Sequence, residues 1–316
     1  MWVVSKKVVA LGGGHGLAAT LTALRSMTSD ITAVVTVADN GGSSGRLREE
    51  FPILPPGDLR MALAALCGDD EWGRSWAQIM QYRFTSEGSL DGHAMGNLLL
   101  AALWDRDEDI VAGLERVGSL LKVIGRVLPM AGEPLDIEAT FEQGQKAEIV
   151  RGQVEVATAR GKLRSLRLIP ENPRALPQTI DAIAAADWIT MGPGSWFSSV
   201  IPHLLMPALH SALISSSAKK ILLLNLDSAD QSAGEYAGYS PLEHLKILHQ
   251  YAPQLHFDCV VLDTHSDGAD ELGSYLSTQG SELLRADLRS PEHPLHHDTK
   301  KLGQLFAHIA LEKLVG

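Results

Sequence analysis

Four of the five residues Gly12-Gly13-Gly14-His15-Gly16 are glycine, and they follow directly on the apolar run Val8 to Leu11. Without Cβ atoms, backbone at that point can approach a phosphate closely and aim its N–H groups at it. Leu17, Leu21 and Leu24 recur at helical spacing, so a helix begins at the cluster and adds the positive end of its dipole. The chemistry this arrangement serves is phosphate or diphosphate binding. A second apolar run, Ile31 to Val37, ends just before Asp39, where a dinucleotide fold keeps the acid that takes a ribose hydroxyl. Counted from Gly12 and Gly14, the G-x-G-x-x-G spacing needs glycine or alanine where Leu17 stands. The loop therefore reads as a phosphate site without a secure NAD fingerprint.

Further polar groups cluster downstream. Ser43-Ser44-Gly45-Arg46-Leu47-Arg48 offers hydroxyls on a flexible turn and two guanidinium groups suited to clamping a diphosphate. Pro55-Pro56-Gly57-Asp58 stops one element and starts a helix over Leu59 to Leu66, with Asp58 as its cap. Arg60, in the first turn, opposes the helix dipole, which marks it for some other task. His93 and Asn97 stand four apart at the start of an apolar helix reaching Trp104; on one face they would need polar partners. Gly192-Pro193-Gly194-Ser195 empties out of the apolar run 187–191 as a second glycine and serine loop, and Gly192, Gly194 and Ser195 are expected to touch the ligand. Ser195 lacks the G-x-S-x-G elbow and a paired base, so it is not read as a nucleophile. Asn225 and Asp227 alternate at the end of the run Lys220 to Asp227, so one of them should face the same crevice.

These groups require a sheet to hold them. The alternation of apolar runs with helical patterns predicts an α/β fold, a modified Rossmann-like, mostly parallel sheet flanked by helices, in a single domain over residues 1–316. Helices are expected over 173–186, over 200–214, and from the Ser240-Pro241 cap through His249, with a further strand over 257–263. Residues 127–169 alternate and are punctuated by Gly144, Gly152 and Gly161, which predicts a small antiparallel β insertion serving as a flap or interface, with Glu148, Glu155 and Arg164 outward. Trp72, Trp76, Tyr82 and Phe84 fall in a linking segment and read as packing groups first and a base-stacking surface second. Residues 266–316 read as a polar loop and an amphipathic helix from Thr299 to Val315. His293, His296, His297 and Asp298 match no structural zinc spacing, so no metal is assigned to that solvated loop.

Composition narrows the partners. A net charge of −11 over 316 residues argues against a nucleic-acid backbone. Cys67 and Cys259, the only cysteines, read as reduced core thiols of a cytoplasmic protein. No apolar run reaches the length of a membrane span, and residues 1–7 lead straight into the first strand without a signal pattern.

Taken together, Gly12 to Leu17, Val37 to Arg48, Pro55 to Arg60, Gly92 to Leu98 and Gly192 to Ser195 resemble the YvcK-like gluconeogenesis factors, which belong with the CofD-like (2-phospho-lactate transferase) superfamily. The resemblance runs from about Lys7 to Asp263. It implies a cytoplasmic, self-associating protein that binds a nucleotide-sugar such as UDP-N-acetylglucosamine and supports cell shape and cell-wall precursor supply on gluconeogenic carbon sources, acting by regulation and with regulatory protein partners. The transferase branch instead moves a phospho-lactyl group from a guanosine diphosphate donor to a deazaflavin alcohol, using magnesium. Two departures stand out: Asn40 replaces a second Asp found in many relatives, and 227–238 is longer than their segment. Loss of a carboxylate at Asn40 is expected to disfavour magnesium-assisted chemistry.

The leading reading is thus a nucleotide-sugar-binding regulatory protein. Gly12, Gly13, Gly14, His15, Gly16, Gly192, Gly194 and Ser195 would hold the diphosphate, and Asp39 and Asn40 the ribose or sugar hydroxyls. Asn225 would lie near the base or sugar, with Ser43, Ser44, Arg46, Asp58, His93 and Asn97 in the same crevice. The alternative is a transferase in which Asp39 and Asp58 position a metal and an acceptor hydroxyl attacks in line. An NAD-dependent oxidoreductase would explain Asp39 but lacks the third glycine and a proton-donor dyad.

Overall fold

The computed structural model describes residues 6–107, 109–144, 146–226 and 239–313; Asp227, with the segment it opens, lies outside them. Chain order gives strands β1 (Val8–Gly12), β2 (Ile31–Val35), β3 (Arg126–Pro129), β4 (Asp136–Gln143), β5 (Lys146–Arg151), β6 (Lys162–Ile169), β7 (Trp188–Met191), β8 (Lys219–Leu223), β9 (Cys259–Asp263) and β10 (Glu282–Ala286). Seven of these form one parallel sheet in the order β10-β9-β8-β7-β1-β2-β3. Every residue of β1, β2, β7 and β9 is buried, because a parallel sheet is covered on both faces and its strands are apolar runs without alternation. The remaining three strands make a separate antiparallel sheet, β5-β4-β6. The α/β reading holds.

The helices are α1 (Gly14–Leu24), α2 (Gly42–Glu50), α3 (Pro56–Ala65), α4 (Glu71–Gln81), α5 (Met95–Asp107), α6 (Ile110–Leu121), α7 (Gln153–Thr158), α8 (Pro177–Ala184), α9 (Ile201–Leu205), α10 (Pro207–Ser215), α11 (Pro241–Tyr251), α12 (Ala269–Gln279) and α13 (Thr299–Lys313). From β1 the chain steps through α1 to β2, toward one edge; from β7 it steps through α10 to β8, toward the other. Right-handed crossovers in opposite directions place their helices on opposite faces. After β10 the chain returns, and α13 packs against α1 with Leu302, Phe306 and Ile309 buried.

Several elements differ from the sequence reading, each for a local reason. The expected turn at Ser43 to Arg48 is helix α2, a run of poor helix formers held by the burial of Ser43, Ser44 and Leu47. α3 begins at Pro56, where a proline's missing N–H costs nothing, so Asp58 lies inside its first turn and makes no cap bond. Trp72 and Trp76 sit on α4, capped by Asp70 accepting from the Gly73 N–H at 2.7 Å, so that segment is no mere linker. His93 precedes α5 and shares no helix face with Asn97. The antiparallel unit begins at Asp136, since β3 pairs with β2 in the main sheet, and Gln153 onward is helix α7 instead of strand. The run 200–214 is broken into a π-helical turn over Trp196–Val200, α9 and α10, with an 81° bend at Pro207, whose ring excludes a continued helix through Met206. The polar stretch after Asp263 supplies α12 and the edge strand β10. Cys67 and Cys259 are both buried and are not joined in a disulfide, as read. No single helix among the described residues is long and apolar enough to cross a membrane.

Because α13 covers α1, the helix that carries the glycine cluster, its docking is testable. Phe306 is wholly buried, and Phe306→Ala should lower the unfolding free energy by about 3–5 kcal/mol in urea titrations.

Candidate functional site

β1 lies between β2 and β7 while the chain leaves the two central strands toward opposite edges. That is a topological switch point, and the crevice beyond the carboxyl ends of such strands is where an open α/β sheet binds ligands. The loops emptying into it are the two glycine loops. They touch: a Cβ on Gly16 would collide with the carbonyl oxygen of Pro193. Thr20 Oγ1 donates to the carbonyls of both Gly16 and Gly192 at 3.3 Å. Asn225 fastens the second loop, accepting from the Gly194 N–H at 2.8 Å and donating to the Gly194 carbonyl at 2.9 Å. Gly192 has φ +72°, a conformation that favours glycine. Ser195 accepts from the Ser198 N–H at 3.1 Å and so caps the π-helical turn.

A charged cavity of about 260 Å³ opens beside the first loop, lined among others by Asp39, Ser44, Asp58, Arg60, Arg83 and Asn97. A chain of hydrogen bonds builds its floor. The Ser43 hydroxyl meets His93 Nδ1 at 3.0 Å and accepts from Asn97 Nδ2 at 3.0 Å, and Asn97 Oδ1 accepts from Arg60 Nε at 2.8 Å. All four residues are buried. This chain leaves one guanidinium nitrogen of Arg60 buried without a partner. Ser44 Oγ accepts from the Gly57 N–H at 3.0 Å, tying α2 to the start of α3.

Asp58 faces Gly14, whose N–H it accepts, but its Oδ2 is buried and unpaired. Burial first, and the neighbouring Asp39 second, push its pKa up to about 7. Arg60 is lowered to about 10 by burial and by Arg83. Burial also lowers His93, with Arg46 adding to it, and lowers His15, with His296 and Arg60 adding to it.

The other predicted groups are placed differently. Arg46 donates to the backbone carbonyls of Ser89 and Asp91, at 3.3 and 2.7 Å. Arg48 donates to the Asp39 carbonyl at 3.0 Å and pairs with Asp136 at 3.1 Å, which anchors the antiparallel insertion and takes it out of any diphosphate clamp. Asn40 spends its amide on that insertion, donating to Glu155 at 3.0 Å and accepting from the Val154 N–H at 3.2 Å. Gln153 reaches Ser198 at 3.3 Å. The insertion is thereby tied to the loop after β2 and to the π-helical turn, and Glu155 is exposed as expected but stands on α7 instead of on a strand.

On the other side of the glycine cluster lies a cavity of about 470 Å³ between α1, α3, α4 and the segment before α13, bounded by His15, Gly16, Met61, Asn225, His296 and His297. Met61 also borders the charged cavity. His296 and His297, expected in a solvated loop, line this cavity instead, because α13 returns onto α1, which nothing in their spacing shows. The sequence singles out Arg60, by its position against the dipole, without placing it in the site; Arg83 carries no signal.

A model of the family described as 2-phospho-L-lactate transferase CofD matches residues 8–312. The chain belongs to the CofD family. It is similar to "Putative gluconeogenesis factor" of Mycobacterium tuberculosis (strain ATCC 25618 / H37Rv), 48% identical over 302 residues that cover 93% of this chain and 87% of that protein. The gluconeogenesis factor of Bacillus subtilis (strain 168) is 34% identical over 326 residues, covering 97% and 98%. A crystal structure of a UPF0052 family member from Bacillus halodurans superposes with a TM-score of 0.84 at 31% identity, covering 96% of this chain and 99% of that one. The CofD match extends past Asp263, so β10 and α13 belong to the family fold as much as the glycine loops do.

The Asp58 environment has a stability signature. With a folded pKa near 7 against an ordinary 3.8, the folded state holds a proton that the unfolded chain has already released, so stability falls as pH rises across that window. Asp58→Asn should flatten this slope, leaving the variant more stable than the parent above pH 7 by on the order of 1–4 kcal/mol and the two closer near pH 4, as urea unfolding at stepped pH would record.

Proposed function

We propose that the crevice binds a nucleoside diphosphate sugar of the UDP-N-acetylglucosamine kind, and that the protein is a cytoplasmic regulatory binding protein supporting cell shape and cell-wall precursor supply on gluconeogenic carbon. The observation that carries this reading is the convergence of two glycine loops on the N-terminus of α1 at the switch point of the sheet. Backbone N–H groups and a helix dipole there suit a diphosphate. The charged cavity next to it offers carboxylates, hydroxyls and guanidiniums to a hydroxyl-rich group such as a sugar. The name gluconeogenesis factor borne by the Bacillus subtilis relative supports the physiological half of the reading.

One observation favours a second reading, a CofD-like transferase. Asp39 and Asp58 form a carboxylate pair, and the unpaired, buried Oδ2 of Asp58 suits a cation. Magnesium takes oxygen ligands of this kind, together with substrate phosphates, and would supply neutralisation of the diphosphate charge. An acceptor hydroxyl would attack the phosphorus in line, its oxygen bonding to phosphorus as the nucleotide leaves and its proton passing to solvent.

Titration calorimetry with UDP-N-acetylglucosamine, with GDP plus magnesium, and with a deazaflavin alcohol separates the two. The nucleotide-sugar reading expects binding of the first alone, with no consumption of ligand. Gly16→Val, which would drive a side chain into the Pro193 carbonyl, should weaken that binding at least about tenfold, an estimate from losing roughly 1.4 kcal/mol of backbone contacts. Binding of GDP with magnesium and turnover of the deazaflavin would replace this reading with the transferase.

A further inference from the structure

We infer that the ligand's nucleobase lies in the 470 Å³ cavity between the imidazoles of His15 and His296, so that the ligand runs from that base, across the glycine loops, to a far group beside Asp39 and Asp58. This rests on the nucleotide reading above and adds its direction and its base subsite. The direction is opposite to that of dinucleotide folds, where the acid after the second strand holds the ribose next to the base.

Three observations lead there. The rings of His15 and His296 are parallel to within 9°, with centroids 6.1 Å apart. A planar ring needs about 3.5 Å of contact on each face, roughly 7 Å in all, so the pair has to open by about 1 Å or more. His15 stands in the first turn of α1 and His296 on the segment between β10 and α13, so the two rings come from separate elements and either side chain can turn without moving the other's backbone. Next, the cavity floor is made of the short side chains Ala18, Ala19, Ala64, Ala65 and Ala77, which leave an apolar, slot-like space against which a flat ring packs.

Charge settles the polarity. Among the described residues, the lining of this cavity contains no carboxylate, guanidinium or ammonium group, whereas the neighbouring one has two aspartates and two arginines. An uncharged heteroaromatic end belongs in the first, and a hydroxyl-rich or anionic end in the second. Polar edges for a base are present too: His297 lines the cavity with its Nε2 buried and unpartnered, and Asn225 stands at the rim. Burial lowers His297 to about 4 and lowers His15 as well, so both present neutral rings at physiological pH.

The test uses the full chain and three probes, UDP, GDP and inorganic pyrophosphate, titrated calorimetrically into the parent, His296→Ala, and Ala19→Leu, which fills the slot without touching the glycine loops. The expected result is that the parent binds one of the nucleotides more tightly than pyrophosphate, and that each variant loses about tenfold in nucleotide affinity, the range of base stacking on an aromatic side chain, while pyrophosphate affinity stays within twofold. Unchanged melting temperatures guard against misfolding, and His15→Ala provides the independent second ring. Equal loss for nucleotide and pyrophosphate, or none for either, overturns the clamp. Pyrophosphate bound as well as both nucleotides overturns the clamp and leaves an anion site. Failure of all three to bind the parent removes the nucleotide reading itself.

Discussion

The contact on which the rest of the structure depends is the one between Gly16 and the carbonyl of Pro193. It brings the first turn of α1 against the loop leaving β7, and it exists only because β1 and β7 are neighbours in the sheet. Side chains from three other places secure it: Thr20 bridges the two loops, Asn225 brackets Gly194, and Thr36 donates to the Ser198 carbonyl at 3.1 Å. None of these bonds is strong alone, at about 1 kcal/mol each net. Together they fix the backbone of both loops in one arrangement, the pre-organisation that the proposed diphosphate site requires.

The charged corner is a second constraint that works against stability. A buried guanidinium with an unpaired nitrogen and a carboxyl pushed to a pKa near 7 are both costly to desolvate. The fold nevertheless spends Ser43, His93 and Asn97 on aiming Arg60, and keeps Gly96 where a Cβ would press on the Arg60 stem at 2.8 Å. Costly polar groups arranged beside a cavity are the pattern of a candidate binding site, and the proposed ligand would complete their pairing.

Legibility in the sequence followed the range of the interactions. Local signals are plain: the glycine cluster, the leucine spacing of α1, the Ser240-Pro241 cap and the buried strands are set within a few residues and appear near where the pattern puts them, although β8 ends at Leu223 and leaves Asn225 in the loop beyond it. Arg60 gave a true local signal as well, since a cation in a helix's first turn is misplaced there. What escaped were features set by distant packing. α2 is a helix only because Ser43, Ser44 and Leu47 are buried. β3 looked like part of the insertion because pairing to β2 cannot be read from alternation. His296 and His297 reach the crevice only because α13 doubles back on α1, some 280 residues away in the chain, a placement that no short window contains.

Asn40 shows how such packing changes a chemical argument. Read alone, an amide where the family resemblance implies a second carboxylate counts against a cation site. In the folded chain that side chain is turned toward α7, where its Nδ2 donates to Glu155 and its Oδ1 accepts from the Val154 N–H. A carboxylate could not donate, and it would set a like charge against Glu155. Gly152 makes room for the pair: its φ is +109°, and a Cβ there would strike both the Asn40 amide and the Glu155 carboxylate. Asn40, Gly152 and Glu155 are thus one matched unit, whose work is to hold the insertion over the crevice. The carboxylates on which the transferase reading rests are Asp39 and Asp58, and the side chain at position 40, turned toward α7, neither adds to that pair nor takes from it.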